Sequence, residues 1–321
     1  MTMNKILNII MESNKIGITF HTSPDGDSLG SSLGLLQGLK KLNKDVYILS
    51  KEKLPDNFKF LSFSNCIHND TGKVLDNTEC VIVLDCGNLE RVNAELNLEK
   101  KNYTLINIDH HMSNEFYGDL NFVDTNSACM GEIVYKMLSS LNILIDKNIA
   151  ECLYTSILTD TGSFRHSNTT SRTHSIAGDL INTGIEFSEI HRKVFDSKDF
   201  YRFKLYALVF EKMQLINQNI CVMELTNEMF QNLKIDSETD TSDIVSFGNQ
   251  IATVEVTVLF KEKDKDIKIS LRSKSKVDVR KIAETIGGGG HIRAAGAKVH
   301  NKSLEEVKNI VIKLIKKELM K

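Results

Sequence analysis

The sequence lacks several features, and each absence removes a class of explanation. No apolar run approaches the roughly 18 residues that a membrane-spanning helix needs. Its first residues, Met1-Thr2-Met3-Asn4-Lys5-Ile6-Leu7, have neither a long apolar stretch nor a small-residue cleavage site, so no secretory leader is expected. A cytoplasmic protein is the expectation. The six cysteines (66, 80, 86, 129, 152 and 221) contain no CxxC pair, which argues against a zinc knuckle or a disulfide framework and for reduced, mostly buried thiols. A basic surplus is also missing: 40 Lys and Arg face 42 Asp and Glu, for a net charge of −2. Long nucleic acids are held by broad basic surfaces. An anionic ligand would here depend on bound cations and a few local positive groups, which favours a small or short phosphorylated substrate. Only Pro24 and Pro55 interrupt the chain as prolines, and neither an internal repeat nor a low-complexity tract occurs.

What is present is an ordinary globular balance, 41% apolar and 26% charged, over 321 residues, a length comfortable for two domains. In the first half, Ile16–Phe20, Val46–Leu49, Cys80–Leu84 and Thr104–Ile108 read as buried strands. Leu29, Leu33, Leu36, Leu39 and Leu42 recur at helical spacing and predict an amphipathic helix over 27–43; 129–141 and 147–159 also read as helices. Continuous apolar strands separated by helices predict an α/β domain with a parallel sheet covered on both faces. We place this domain at 1–187 and a helical joining segment at 188–215. A smaller α+β domain is expected over 216–321, with strands at Ile220–Leu225, Thr253–Phe260 and Ile267–Leu271, a hairpin turn within Lys261–Asp266, a helix near 277–286 and an amphipathic C-terminal helix.

Four segments of the first domain place carboxylates or imidazoles just after a predicted strand or at a helix end. They are His21-Thr22-Ser23-Pro24-Asp25-Gly26-Asp27, Asp85, Asp109-His110-His111 and Asp160. The carboxyl ends of the strands of an open parallel sheet form one rim, where ligands bind. Clustered carboxylates repel one another and need cations to stay ionised. Oxygen and imidazole donors without thiolates suit Mn²⁺ or Mg²⁺ better than structural zinc. Taken singly, Asp-Gly after a strand is a turn, Asp27 at a helix start is a cap, and paired histidines are surface residues. Four such segments, each at an element end, are hard to explain that way.

His21-Thr22-Ser23-Pro24-Asp25-Gly26-Asp27-Ser28, Asp85-Cys86-Gly87, Asp109-His110-His111 and Asp160-Thr161-Gly162-Ser163-Phe164-Arg165 resemble, in order, the motifs of the DHH superfamily of phosphoesterases. Gly287-Gly288-Gly289-Gly290-His291-Ile292-Arg293-Ala294-Ala295-Gly296 resembles the signature of the associated DHHA1 domain. The length, together with Leu89-Glu90-Arg91 and Thr159–Thr170, resembles the nanoRNase branch, bifunctional oligoribonucleases and 3′-phosphoadenosine-5′-phosphate (pAp) phosphatases. The resemblance implies two Mn²⁺ ions, with Mg²⁺ or another divalent ion as a substitute. His21, Asp25 and Asp85 would hold one; Asp27, Asp85, His110 and Asp160 the other, with Asp85 as the bridge. His111 would touch the substrate phosphate, and Asp109 would orient the histidines. All of these positions match the family pattern.

The four glycines read less as a flexible linker than as a backbone nest, whose N–H groups can converge on an anion. The resemblance implies that Gly288, Gly289, Gly290, His291 and Arg293 bind the end of the substrate, with Arg272 as a neighbour, and that Arg165 and His166 are substrate contacts. Motion about 188–215 would open and close a cleft that accepts two to a few nucleotides. The expected partners are short RNA or small phosphorylated nucleotides; a homodimer is open, with no residue that specifies it. The expected activity is release of 5′-mononucleotides and removal of the 3′-phosphate of pAp. The alternatives are a phosphodiesterase for linear or cyclic dinucleotides and, outside enzymes, a nucleotide-binding regulator. A processive RecJ-type DNA exonuclease would need an added strand-binding domain and a basic surplus, and a family II pyrophosphatase would lack the glycine segment.

Overall fold

The structure is a computed structural model that describes residues 3–237, 239 and 241–321. The chain divides between Ser197 and Lys198 into two compact units. No helix among the described residues is long and apolar enough to cross a membrane.

The first unit runs through α1 (Met3–Glu12), β1 (Lys15–Thr19), α2 (Gly26–Lys40), β2 (Asp45–Ile48), β3 (Cys80–Leu84), β4 (Thr104–Asp109) and β5 (Leu120–Val123). It then continues through α3 (Met130–Ser140), α4 (Lys147–Asp160), α5 (Ser171–Asn182) and α6 (Phe187–Phe195). The strands form one sheet in the order β2-β1-β3-β4-β5, and every neighbouring pair is parallel. Alternate strand residues serve two cores. Ile16, Ile18, Ile82, Leu84, Ile106 and Ile108 pack with the helices; Val81, Val83 and Leu105 pack with Leu49, Val92 and Ala94 from the irregular segments. The sheet order reverses at β1 and β3, so the crevice at their carboxyl ends is a ligand position that topology creates.

The helix expected as amphipathic is instead buried all round from Gly26 to Leu39. Its serines are buried too: Ser31 Oγ donates to the Asp27 carbonyl at 2.7 Å, whereas Ser32 Oγ has no hydrogen-bond partner among the described residues. Gly30, Gly34 and Gly38 make the burial possible: a Cβ on Gly30 would lie 2.4 Å from the Cys152 carbonyl oxygen in α4, and one on Gly38 2.3 Å from Leu138 in α3. Leucine periodicity alone does not register a helix buried on its second face by neighbours that dock on glycine.

The second unit contains α7 (Phe200–Glu211), β6 (Gln214–Ile216), β7 (Ile220–Leu225), α8 (Asn227–Leu233), α9 (Ile244–Gly248), β8 (Val256–Lys263) and β9 (Asp266–Ser273). It closes with α10 (Val279–Thr285), β10 (Gly289–His291), β11 (Ala294–His300) and α11 (Leu304–Leu319). Its mixed sheet has the order β10-β11-β9-β8-β7-β6, parallel only between β7 and β8. Strand β8 starts later than expected from Thr253, because Val254 N–H donates to the Ile251 carbonyl in a turn. The segment 188–215 holds most of α6 and all of α7, and the division between the units falls in the stretch separating them.

Candidate metal centre

The four segments meet at the carboxyl rim of the first sheet. His21 follows β1 and is tied to Val92 by an isolated bridge. Asp25 is the N-cap of α2; its carboxylate accepts from the N–H groups of Asp27 and Ser28. Asp27 is therefore not the cap of its own helix. It lies in the first turn of α2, and its carboxylate accepts from Met130 N–H at 2.9 Å, at the N-terminus of α3. Asp85 directly follows β3 in a left-handed conformation, φ 56°. Asp109 ends β4 and puts His110 and His111 just beyond it, and Asp160 ends α4.

Asp85 stands between two groups of donors. One of its oxygens, Oδ2, is 3.4 Å from His21 Nε2, which is 3.6 Å from Asp25 Oδ2. The other, Oδ1, is 3.4 Å from His110 Nε2, which is 3.6 Å from Asp27 Oδ2 and 4.0 Å from Asp160 Oδ2. A third, overlapping group joins Asp85 and His110 to Asp109 and His111. Asp85 Oδ1 is buried and accepts no hydrogen bond. Ligand atoms each about 2.1 Å from one divalent ion are at most about 4.2 Å apart, so these separations are ones that shared ions can span. An orphaned buried carboxylate oxygen inside an all-oxygen and imidazole donor set fits divalent cations.

The electrostatics agree. Burial, with the charges of Asp85 and Asp160, holds the Asp27 carboxyl well above its ordinary range. Burial also raises Asp160, His110 pulls it back and Asp85 pushes it further, to about 6. Burial works against a charged His21, yet its contacts with Asp25 and Asp85 carry it up to about 11. His110 is likewise opposed by burial but lifted to about 10 by Asp85, Asp27 and Asp160. Each shift reports the same excess of buried negative charge, the condition a divalent cation relieves.

Asp109, at the edge of this cluster, is held by hydrogen bonds on both oxygens. Its Oδ1 accepts from the ring of His111 at 2.7 Å and from His110 N–H at 2.8 Å, and its Oδ2 accepts from Asn114 Nδ2 at 2.6 Å. Burial raises its pKa, but these contacts, His111 foremost, lower it overall. Asn114 also donates to Asn107 Oδ1 at 2.8 Å, and Asn107 donates to the Cys86 carbonyl at 3.1 Å. Asn107, Asn114, Ser156 and Asn168, whose amide donates to the Asp160 carbonyl at 3.2 Å, escaped the sequence reading. A polar residue inside an apolar run, as Asn107 is in β4, was the available signal; Ser156, which follows Thr155, carries no such mark.

The candidate substrate contacts divide between the units. Arg165 and His166 are exposed just after Asp160; Arg165 Nε donates to the Gly162 carbonyl at 2.8 Å, and His166 Nδ1 is 3.3 Å from the Asp160 carbonyl. Arg272, Gly288, Gly289, Gly290, His291 and Arg293 belong to the second unit and are not among the residues of the carboxylate cluster. Arg272 lies in β9 beside Ala294, and Arg293 Nη1 donates to the Val277 carbonyl at 2.8 Å. The glycine run does not form a continuous nest. Gly287 and Gly288 close α10, donating to Glu284 and Ala283 carbonyls at 3.2 and 2.8 Å, and Gly289 begins strand β10. Gly288 is needed for close approach, because a Cβ there would lie 2.2 Å from the Gly296 carbonyl oxygen.

Residues 15–157 match the DHH family, N-terminal domain, and residues 218–320 match the DHHA1 domain. The probable bifunctional oligoribonuclease and PAP phosphatase NrnA of Streptococcus mutans is 33% identical over 95% of this chain and 98% of its own length. The bifunctional oligoribonuclease and PAP phosphatase NrnA of Thermus thermophilus is 29% identical over 95% of this chain and 90% of its own. Among solved structures, an exopolyphosphatase-related protein from Bacteroides fragilis superposes with a TM-score of 0.90 at 26% identity, covering 98% of this chain and 95% of that one. RecJ from Thermus thermophilus, solved with Mn²⁺, shares the fold at a TM-score of 0.53 and 12% identity, covering 96% of this chain and 53% of its own. From its motifs, its two domains and these relatives, the chain belongs to the DHH family of phosphoesterases and carries a DHHA1 domain as its second part.

Proposed function

We propose that this chain hydrolyses short oligoribonucleotides to 5′-mononucleotides and removes the 3′-phosphate of pAp, using two divalent cations, Mn²⁺ by preference, in the cytoplasm. The observation that carries the proposal is Asp85, whose two carboxylate oxygens face two separate donor groups. His21, Asp25 and Asp85 would hold one ion, and Asp27, Asp85, His110 and Asp160 the other. Such a pair supplies charge neutralisation for a phosphoryl group and activates water for in-line attack. The chain's own groups do the rest. Asp109 fixes the ring of His111 through its Nδ1, and Nε2 would be the atom to meet a phosphoryl oxygen or the departing alkoxide. Asn114 holds Asp109 from the other side. Arg165 and His166 lie beside Asp160 as contacts for the substrate backbone. Arg272, Gly288, Gly289, Gly290, His291 and Arg293 would bind the substrate's far end. The names of the Streptococcus mutans and Thermus thermophilus relatives support this substrate class, and six free cysteines suit a reducing compartment.

The test offers the pure protein and Mn²⁺ a diribonucleotide, a long oligoribonucleotide, pAp and cyclic di-AMP in parallel, with products resolved. Fast release of mononucleotides from the dimer and of AMP from pAp is expected. Equal rates on the dimer and the long strand would overturn the short-substrate reading, and preference for the cyclic dinucleotide would replace it. A variant with Asp109→Ala and His110→Ala together should fold and lose hydrolysis; surviving activity would overturn the assignment of the centre.

A further inference from the structure

We infer that Ser156, acting with the N-terminus of α3, is a positioning residue for the Asp27 half of the metal centre and sets the affinity of that half alone. The inference rests on the two-ion reading above and concerns how the ligands are held.

Ser156 is fully buried. Buried serines and threonines in helices commonly bond back to a carbonyl one turn earlier. Its neighbours in α4 do so: Thr155 Oγ1 donates to the Glu151 carbonyl at 2.8 Å and Thr159 Oγ1 to the Thr155 carbonyl at 3.0 Å. Ser156 does not. Its hydroxyl donates to Asp27 Oδ1 in a short hydrogen bond and accepts from Gly131 N–H at 2.8 Å. Its one donor and one of its two acceptor positions are therefore committed to residues from two other helices, which fixes its direction.

Asp27 is gripped asymmetrically as a result. Its Oδ1 also receives Met130 N–H at 3.1 Å and Gly131 N–H at 3.4 Å. Its Oδ2 shares Met130 N–H at 2.9 Å and is the oxygen that faces His110 Nε2 at 3.6 Å. One oxygen anchors the carboxylate while the other presents to the ion position. Nothing larger than glycine is tolerated next to this anchor, since a Cβ on Gly131 would lie 2.2 Å from Ser156 Oγ. The other half is built differently. The Asp25 side chain is 58% exposed and is held by N–H groups at the start of its own helix, whereas that of Asp27 is 2% exposed. Among the described residues, the hydrogen bonds of the Ser156 hydroxyl go to Asp27 and Gly131 and none to His21 or Asp25. Loss of its hydroxyl releases one half of the centre and leaves the other as it is.

The experiment is calorimetric titration of the metal-free full-length chain with Mn²⁺, for the unsubstituted protein, Ser156→Ala, Ser156→Cys and Ile157→Val. Two binding events are expected in the unsubstituted protein. Ser156→Ala should weaken one of them at least tenfold, the order found when a residue behind a ligand is lost, and leave the other within about twofold. Ser156→Cys keeps a weak donor on a larger atom, so it should shift the same event and no other, and it supplies the reading should the alanine variant not fold. Ile157→Val, a core change in the same turn, should lower the melting temperature and leave both affinities alone. Two events in the unsubstituted chain, with both serine variants unaltered, would overturn this inference and spare the two-ion reading. Equal weakening of both events by the serine variants would also overturn it. A stoichiometry of one ion per unsubstituted chain would overturn the two-ion reading and this inference together.

Discussion

Asp85 combines two constraints that rarely coincide. Its backbone sits in the left-handed region at φ 56°, where Asp and Asn are tolerated far better than other side chains. Its carboxylate must also face both donor groups. Asp85→Asn therefore separates charge from backbone. It should keep the fold, lose the rise in melting temperature that Mn²⁺ confers, and lower turnover by about a hundredfold or more. Asp85→Ala should suffer the same losses and add about 1–2 kcal/mol of backbone strain, read as a lower melting temperature in the absence of metal. Equal melting temperatures for the two metal-free variants would remove the backbone half of this argument. Asp85, His110 and Asp160 were legible in the sequence because each follows an apolar run or ends a helix. Asn114 was not, because its partner Asp109 is brought to it by the loop beyond β4 and no periodicity marks that contact.

At the scale of elements, the seam between α2 and α4 positions the two carboxylates on either side of His110. Asp27 opens α2 and Asp160 closes α4. The helices meet where Gly30 faces the Cys152 carbonyl, with 2.4 Å to a hypothetical Cβ. Gly30→Ala should push them apart, lower the melting temperature by several degrees and weaken Mn²⁺ binding as Asp27 and Asp160 separate. Gly178→Ala in α5 meets nothing within 4 Å and should do the reverse for stability, adding about 0.5–1 kcal/mol through lower chain entropy and better helix propensity. A Gly30 variant with unchanged melting temperature and metal affinity would show that the seam does not position the site. Local sequence patterns place α2 and α4 within a few residues of their ends but do not register that α2 is buried on every side.

For the whole molecule, the buried charge makes metal binding and stability depend on pH with opposite signs. In the metal-free chain, His21 and His110 hold their protons more tightly than in the unfolded state, with values of about 11 and 10. Their contribution is complete below the ordinary histidine value near 6.5 and is lost as pH rises towards 10–11. The metal-free melting temperature should thus fall from pH 6 to pH 9, by roughly the amount such linkage predicts. Cations must displace those protons, so Mn²⁺ affinity should rise over the same range and binding should release protons. Titrations in buffers of differing ionisation enthalpy would read that release; none at all would contradict the buried-charge account.

The sequence by itself determined the α/β and α+β classes of its two parts and the family. These follow from local patterns: apolar runs mark strands, leucine spacing marks helices, and chemistry-bearing residues cluster at element ends. Tertiary structure alone decided which side chains meet. The reversal of sheet order at β1 and β3 brings His21 to Asp85 across 64 positions. The docking of three helices on glycine brings Ser156 and the start of α3 to Asp27, contacts 129 and 103 positions long. It also decided that the glycine run ends a helix and starts an edge strand, since the deciding contacts are with β11. Hydrogen bonds and close packing between distant segments leave no periodicity for a sequence to display.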